Sequence, residues 1–306
     1  GDLEGMEPLP SLLKHIIGAG GKRLRPILTL LGARVSQIPK DHAVHLACAA
    51  EWIHTASLIH DDVVDDTPLR RSRPSPHVVW GNTYAVLGGD YCLALALTHV
   101  EEVGQMKAVS TLNATVREMV RAEILQLRNR GEARLSQELY FDIITGKTAS
   151  LMGWCCSCGG VGLTERAEVL NRFGTDLGLA FQITDDVLDL QAQAAQLGKS
   201  TDQDLREGNY TLPVILATEK DPELRQRIRA LIGPDREETA GGDPRAPEDT
   251  LKDLHRAVKA PAVIQETKEI AAAYASRARR HLSELPPTEE RDALEELASF
   301  TTSRTR

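Results

Sequence analysis

Apolar residues recur at helical spacing along most of the chain, and short breaks rich in glycine, proline or charge separate these stretches. The pattern predicts an all-α protein. The expected helices cover about 9–17, 26–36, 41–66, 74–103, 106–130, 135–158, 164 onwards, 212–231, 260–284 and 288–300. Gly131 is expected to break the chain between two of them, and Gly88 and Gly89 predict either close helix packing or a kink. Residues 233–249, rich in Gly, Pro, Asp and Glu, are expected to form a flexible loop.

The predicted helix 41–66 ends in an acidic cluster, in which Asp61, Asp62 and Asp65 follow an apolar stretch. On a helix, Asp61 and Asp65 lie one turn apart on the same face, about 5–6 Å from each other, with Asp62 beside them. Two like charges at that distance repel each other by on the order of 1 kcal/mol. Acidic helix ends are often only solvated surface, so this cluster does not establish a cation site by itself.

A second cluster makes a metal site the better interpretation. Asp185, Asp186 and Asp189 repeat the Asp-Asp-x-x-Asp spacing in another apolar, helix-compatible stretch. If the two clusters face each other across a cavity, they offer oxygen ligands to Mg²⁺, which usually completes its shell with waters and substrate phosphates. The expected ligand is therefore a diphosphate. Because both clusters must reach one cavity, we expect a single large helical domain over 1–306.

Together with flanking motifs, the acidic clusters resemble those of the trans-polyprenyl diphosphate synthases of the isoprenyl synthase family. The matching motifs run from Gly-Gly-Lys-Arg-Leu-Arg-Pro at 20–26 to the segment 204–213, about two thirds of the chain in the family's order. The resemblance implies a large bundle of about ten or more helices around a central cavity. It implies Mg²⁺-dependent elongation of an allylic diphosphate, such as farnesyl or geranylgeranyl diphosphate, with isopentenyl diphosphate. It also implies a homodimer.

The resemblance assigns roles to individual residues. The Mg²⁺ ligands would be Asp61, Asp62, Asp65, Asp185, Asp186 and Asp189, with Asp61, Asp65 and Asp185 binding directly and the others as further or outer ligands. The diphosphate of isopentenyl diphosphate would contact Lys22, Arg25, His54 and Arg71, with Arg23 as a further candidate. The allylic substrate would contact Arg70, Lys147, Thr148 and Lys199, and Gln182 is a further substrate-binding residue. Arg70, Lys147 and Lys199 are expected to take part in catalysis, because they would neutralise the departing pyrophosphate.

Three features leave questions open. Ser72 follows the arginine pair where the family usually has glycine, which puts the local turn in question. Asn209 stands where the family often has a second lysine, so one cation fewer is expected near the leaving group. Glu123 and Gln126, on the predicted helix 106–130, either reach the cavity or lie on the surface.

Product length is expected to depend on the residues before the first acidic cluster. In the family, aromatic residues four or five positions before the first Asp stop growth at short products. Ser57 and Ala56 occupy these positions here, and both are small. Trp52 lies one helical turn deeper, about 5.4 Å further along, and is either the floor of the tail cavity or ordinary core. We therefore expect a product longer than geranylgeranyl diphosphate.

Composition limits the alternatives. The net charge of -8 and pI of about 5.7 argue against a nucleic-acid partner. No apolar run is long enough for a transmembrane segment, and no secretory signal is seen, so we expect a cytoplasmic protein. Cys155 and Cys158 have the Cys-x-x-Cys spacing of zinc or redox sites, but small buried thiols are the preferred interpretation.

Three other functions share part of the pattern. A geranylgeranyl or farnesyl diphosphate synthase would differ only in product length. A class I terpene cyclase has the first acidic motif but needs neither the basic segment 20–26 nor a second complete motif. A non-catalytic subunit of a heteromeric synthase is expected to have eroded acidic motifs, whereas both are intact here.

Overall fold

The computed structural model describes residues 5–70, 73–194, 210–232 and 246–304. These residues are helical almost throughout, which confirms the predicted all-α class. The α-helices are α1 (Leu9–Ile17), α2 (Leu24–Val35), α3 (Lys40–Val64), α4 (Pro76–Glu102), α5 (Met106–Glu132), α6 (Gln137–Ile144), α7 (Ser150–Ser157), α8 (Thr164–Ala194), α9 (Leu212–Lys220), α10 (Pro222–Ile232), α11 (Ala246–Val258), α12 (Pro261–Leu282) and α13 (Glu289–Ser303). A π-helix covers Thr145–Ala149, a 3₁₀ turn covers Cys158–Gly160, and strands β1 (Leu69–Arg70) and β2 (Arg73–Pro74) pair antiparallel.

The predicted break at Gly131 is wrong, because α5 continues through this residue to Glu132. The chain turns at Ala133, whose φ of 47° is left-handed. The side-chain amide of Asn129 stabilises the turn: its Oδ1 accepts a hydrogen bond from the Arg134 amide (3.0 Å) and its Nδ2 donates to the Arg134 carbonyl (3.3 Å). A single glycine lowers helix stability but does not by itself end a helix. The side-chain amide of Asn129, which can bond to the backbone of the turn, was the better signal for the end of α5.

The predicted continuous helix over 212–231 is also wrong. The structure divides it into α9 and α10 at Asp221, where φ is -130° and ψ is 91°. Asp221 Oδ1 accepts a hydrogen bond from the amide of Leu224 (2.9 Å), and Pro222 is the first residue of α10. Proline disfavours the helical conformation in the residue before it, and Asp is a preferred N-cap, so the Asp-Pro pair starts a new helix.

Helix α11 was missed, and it overlaps the predicted loop 233–249. Residues 246–249 form its first turn, where Glu248 and Asp249 lie at the positive end of the helix dipole. Leu251, Leu254 and Val258 are buried at helical spacing. The remainder of the predicted loop, 233–245, lies outside the described residues.

The chain groups into two compact units. Unit 1 contains residues 1–112 and 155–168, and unit 2 contains residues 113–154 and 169–306. In unit 1, α3 packs along α4, α2 packs on α3, and α1 packs on α4. In unit 2, α12 packs on α13, and α9 contacts α10, α11 and α12 around a large apolar core. The single domain over 1–306 stays a prediction.

Gly88 and Gly89 serve close helix packing rather than a kink. A Cβ at Gly88 would lie 2.7 Å from a methyl group of Leu12, and one at Gly89 would collide with the imidazole of His60. The irregular residue of α4 is instead Gly81, with φ 83° and ψ 161°. The glycine pair therefore lets α1 and α3 approach α4 closely.

Cys155 and Cys158 are core residues, as predicted. Cys92, Cys155, Cys156 and Cys158 are buried free thiols. Burial raises the pKa of Cys155 to about 12, despite the opposing influence of Arg25. Cys158 donates its thiol proton to the Thr29 carbonyl at 3.2 Å. Among the described helices, none combines the length and hydropathy that a membrane-spanning segment needs.

Candidate active site

The basic turn before α2 exposes Lys22 and leaves Arg25 half-buried on the first turn of the helix. Gly20 has a left-handed φ of 72°, which glycine adopts without strain. Arg23 is anchored differently from its neighbours. Its guanidinium forms a short ion pair with Glu51 on α3 and donates to the Ile17 carbonyl at 3.2 Å. The structure therefore gives Arg23 a role in holding the turn to α3.

The first acidic cluster has the helical geometry that the spacing predicts. Helix α3 ends at Val64, but the amide of Asp65 still donates to the Asp61 carbonyl at 2.8 Å, so these two residues lie one turn apart. Both are partly exposed. Asp66 turns away with a left-handed φ of 49°, and its side chain is 97% exposed. Asp61 and Asp65 are thus the members of this face that solvent reaches.

Asp62 is buried beside the hairpin that carries Arg70. Its side chain is 1% exposed, and its Oδ1 accepts hydrogen bonds from Arg70 Nε (2.8 Å) and a terminal guanidinium nitrogen (2.7 Å). Its Oδ2 is buried and accepts no hydrogen bond from any residue that the structure describes. A buried carboxylate oxygen without a donor is costly, so this atom suits a cation or a ligand proton.

An apolar cavity of about 570 Å³ lies in unit 1 next to the residues expected to control product length. Its walls come from α1, α3 and α4, and the lining residues are Leu13, Lys14, Ile17, Gly18, Trp52, Tyr91 and Leu95. Ala56 is completely buried in the adjoining core, and the Ser57 hydroxyl donates to the His54 carbonyl at 2.9 Å. Trp52 is therefore a wall of a cavity and not simply a core side chain.

In unit 2, the predicted phosphate-binding Lys and Thr lie on a π-helix between α6 and α7. A Cβ on Gly146 would lie 2.5 Å from the Cβ of Ala122 and 2.9 Å from the Glu118 carbonyl. Glycine therefore lets this segment pack directly on α5. Single π-helical turns inside α-helices are frequent at functional sites, and the Gly-Lys-Thr segment at 146–148 forms such a turn here.

Lys147 contacts two residues of α5, Glu123 and Gln126, for which the sequence did not decide between a place in the cavity and one on the surface. Its Nζ lies 2.5 Å from Glu123 Oε2 and donates to Gln126 Oε1 at 3.0 Å. The Thr148 hydroxyl donates to Gln182 Oε1 on α8 at 3.0 Å. The structure thus gives Lys147 two partners on α5, Glu123 and Gln126, which hold it in place. Thr148 and Gln182 form a separate polar network with α8.

Asp186 continues this network into the core. It is buried, and its Oδ2 accepts a hydrogen bond from the Tyr140 hydroxyl (2.7 Å) and a longer one from the Leu212 amide (3.4 Å). Its Oδ1 accepts one from Gln182 Nε2 (3.2 Å). Burial raises the pKa of Asp186 to about 7, and the three hydrogen bonds oppose that rise. These contacts fit an outer role for Asp186, in which it orients Gln182.

The other two aspartates of the second cluster are accessible. Asp185 is partly exposed and pairs with Arg304 at 2.8 Å, while Asp189 is exposed one turn further on. Desolvation raises the pKa of Asp189, and Arg304 opposes the rise. Sequence reasoning missed Tyr140 and Arg304, because each lies far along the chain from the aspartate that it contacts.

Some predicted residues cannot be placed. Arg71 and Lys199 lie outside the described residues, as do Ser72 and Asn209. Within the part of the chain that the structure describes, no group of three or more His, Cys, Asp or Glu side chains is close enough together to bind a metal ion by itself. The coordination shell of a divalent cation would thus need oxygens from water or from a diphosphate, as that of Mg²⁺ usually does.

Comparisons with known proteins point in the same direction as the motifs. The sequence profile of the family described as polyprenyl synthetase matches residues 6–243. The chain is 35% identical over 296 residues to heptaprenyl diphosphate synthase component 2 of Geobacillus stearothermophilus, covering 96% of this chain and 89% of the relative. It is 36% identical over 302 residues to nonaprenyl diphosphate synthase of Mycobacterium tuberculosis, covering 97% and 87%.

A solved structure has a similar fold. Polyprenyl synthase from Caulobacter crescentus CB15, complexed with calcium and isoprenyl diphosphate, superposes with a TM-score of 0.84. The two chains are 38% identical, and the match covers 97% of this chain and 89% of the other.

Proposed function

Because the chain belongs to the polyprenyl synthetase family, we propose that it is a trans-prenyltransferase that extends an allylic diphosphate with isopentenyl diphosphate. The product is an all-trans polyprenyl diphosphate longer than geranylgeranyl diphosphate. The observation that carries this proposal is the pair of intact acidic clusters within a chain that matches heptaprenyl and nonaprenyl diphosphate synthases over nearly its whole length.

Isopentenyl diphosphate is assigned to the basic groups of the first motifs. Lys22 lies in the turn before α2 and Arg25 in its first turn, and His54 lies on α3 seven residues before Asp61, on the same helical face. Arg71 is the fourth group of this proposed site. Guanidinium and ammonium groups bind diphosphate oxygens through charge-assisted hydrogen bonds, so they orient the substrate without taking part in bond changes.

The allylic diphosphate is assigned to Arg70, Lys147, Thr148, Gln182 and Lys199. Arg70 is oriented by its ion pair with the buried Asp62, and Lys147 by Glu123 and Gln126. Both cations are therefore held in defined positions before a substrate arrives. Preorganised positive charge stabilises the negative charge that develops on the departing pyrophosphate.

A divalent cation fits the carboxylates of both clusters. Asp61, Asp65 and Asp185 are the accessible carboxylates proposed to bind Mg²⁺ directly, and the donorless Oδ2 of Asp62 supports a cation in that region. Calcium in the Caulobacter crescentus complex supports a divalent cation as well. When bound, Mg²⁺ would neutralise the diphosphate and so favour cleavage of the allylic C–O bond.

The bond changes follow from the two substrates. Cleavage of the allylic C–O bond gives an allylic cation and pyrophosphate. The double bond of isopentenyl diphosphate attacks the cation, a new C–C bond forms, and loss of a proton restores a double bond. We assign the proton to the departing pyrophosphate, as in the family. The apolar residues that line the cavity beside Trp52 suit the growing hydrocarbon tail, since they exclude water that would capture the cation.

The reaction and its metal dependence are tested by pyrophosphate release from farnesyl diphosphate, isopentenyl diphosphate and Mg²⁺. We expect release that stops with EDTA, and a loss of at least about a hundredfold for Asp61→Asn and Asp185→Asn. Asp66→Asn is the matched control, because Asp66 belongs to the same acidic run but lies outside the Asp-Asp-x-x-Asp motif, and its side chain is 97% exposed beside His77. Release that persists in EDTA, or equal losses in all three variants, would contradict the proposal.

We also propose a cytoplasmic homodimer. Several large apolar side chains of α4 are exposed, namely Val78, Val79, Tyr84, Val86 and Leu87. Contiguous exposed apolar surface usually marks an interaction site. Light scattering of the purified chain should give twice the mass of one chain, and a monomer at micromolar concentration would contradict this assignment.

A second candidate is a subunit that works only with a different partner chain. The name of the Geobacillus stearothermophilus relative describes a component of a synthase, which favours this alternative. Activity of the purified chain alone would exclude it. Inactivity alone, with binding of the allylic diphosphate retained, would support it.

A further inference from the structure

Arg304, the residue after α13, inserts its guanidinium beside the second acidic cluster. Its side chain is only 4% exposed. One terminal nitrogen lies 2.8 Å from Asp185 Oδ1 and donates to the Phe181 carbonyl at 2.8 Å, while Nε donates to the Thr301 carbonyl at 3.1 Å. Its central carbon lies 4.0 Å from the centroid of the Phe181 ring. The guanidinium is thus surrounded by groups that suit a cation.

Such a contact is not an ordinary surface ion pair. Burying an arginine is costly unless acceptors and a counter-charge replace the lost water, and here one carboxylate, two carbonyls and an aromatic face do so. Arg279 provides a contrast, because it pairs with Glu295 across α12 and α13 while both side chains are largely exposed (48% and 38%). Burial lowers the pKa of Arg304, and Asp185 and Asp189 counteract this.

The position of Arg304 has an electrostatic consequence for the proposed metal ligands. Asp185, Asp186 and Asp189 lie within two helical turns, so the positive charge of Arg304 beside Asp185 relieves their mutual repulsion. The same positive charge also opposes the approach of a divalent cation to Asp185. Arg304 therefore acts on Asp185 in two ways: it holds the carboxylate in place and weakens its attraction for a free metal ion.

We propose that Arg304 is a positioning residue that acts through Asp185, as a built-in counter-ion that restrains the carboxylate and keeps its affinity for a divalent cation low until a diphosphate is present. The inference rests on the proposed function, because it takes Asp185 to be a metal ligand. The diphosphate brings enough negative charge for the metal ion and Arg304 to be neutralised together.

The experiment measures binding of Mn²⁺ alone to the full chain by electron paramagnetic resonance, at a pH where Asp185 is ionised in every variant. Arg304→Gln should bind Mn²⁺ about fivefold more tightly than the unaltered chain, since one repelling charge is removed. Arg304→Lys, which keeps the charge, should stay close to the unaltered chain. Arg279→Gln is the matched control and should leave Mn²⁺ affinity unchanged.

A double-variant cycle shows whether the effect passes through Asp185. In an Asp185→Asn background, Arg304→Gln should no longer change Mn²⁺ affinity. If Arg304→Gln does not fold, Arg304→Met replaces it, because it removes the charge but keeps a long side chain against Phe181. Equal or weaker binding by the uncharged variant, or no Mn²⁺ binding by either chain, would overturn the proposal. Pyrophosphate release by the unaltered chain, measured separately, shows whether the proposed function survives that result.

Discussion

At the residue scale, the site is built from charged groups that hold one another in place. Arg70 is fixed by Asp62, and Lys147 by Glu123 and Gln126. The Asp-Asp-x-x-Asp spacing made Asp62 a candidate from the sequence, and the family resemblance made Arg70 and Lys147 candidates. Their partners could not be predicted in the same way, because Glu123 and Lys147 belong to different helices and no local pattern links them.

The ion pair between Arg70 and Asp62 predicts a separation of stability from activity. Arg70→Gln leaves the buried Asp62 without its counter-charge and should lower the free energy of unfolding by about 2 kcal/mol, less than for a fully buried pair because Arg70 is 37% exposed. Replacing both residues, Asp62→Asn with Arg70→Gln, should recover most of that stability but not the condensation rate. Urea unfolding and pyrophosphate release measure the two effects. A double variant as unstable as Arg70→Gln would disprove the ion-pair explanation.

Trp52 predicts the length of the product. Trp52→Ala removes a wall of the 570 Å³ cavity, so the tail should grow further and the product distribution should shift to longer chains. Trp80→Ala is the control, because Trp80 packs on His15 at a ring distance of 5.3 Å and does not line that cavity. Mass spectrometry of the products compares the two. An unchanged distribution for Trp52→Ala would show that Trp52 does not limit the length of the product.

At the element scale, the helices with clear local signals were predicted well. Helix α1 begins and ends where apolar spacing places it, and Thr288 caps α13 by accepting a hydrogen bond from the Arg291 amide at 3.2 Å. The prediction failed at α11, where the loop-like composition of 233–249 outweighed the helix-start signal at 246–249. The polar residues 246–249 looked like the end of a loop, yet a proline and two acids are also what a first helical turn favours.

The π-helix could not be predicted, because the apolar spacing over 135–158 indicates only a continuous helix. Gly146 permits it, because the space for a Cβ is already occupied by Ala122 and Glu118 of α5. Gly146→Ala should therefore shift Lys147 and Thr148 and lower the condensation rate by about tenfold or more. Through overpacking it should also lower the free energy of unfolding by about 1–3 kcal/mol. Rates and thermal unfolding measure these effects.

Gly88→Ala is the matched control for that variant. Its new Cβ would meet only the methyl groups of Leu12, which can move aside, so a smaller loss of stability is expected than for Gly146→Ala. A Gly146→Ala enzyme with the rate and stability of the unaltered chain would show that the π-helix does not depend on this glycine.

At the scale of the whole molecule, sequence and comparisons agree on the family. Apolar helices and both acidic clusters fit a metal-dependent enzyme acting on diphosphate esters, and the family profile extends over residues 6–243. Family membership could be predicted because its motifs are local and recur in a fixed order. Product length could not be predicted to a single value, since it depends on how far a cavity extends between helices rather than on a motif.

The measurement that tests the account most directly is the mass of the products formed from farnesyl diphosphate, isopentenyl diphosphate and Mg²⁺. We predict a series of polyprenyl diphosphates that ends beyond geranylgeranyl diphosphate, as expected if the small residues Ser57 and Ala56 let the tail pass. A sharp stop at geranylgeranyl diphosphate would contradict the predicted length. No elongation by pure protein with metal present would contradict the proposal that this chain is a complete synthase.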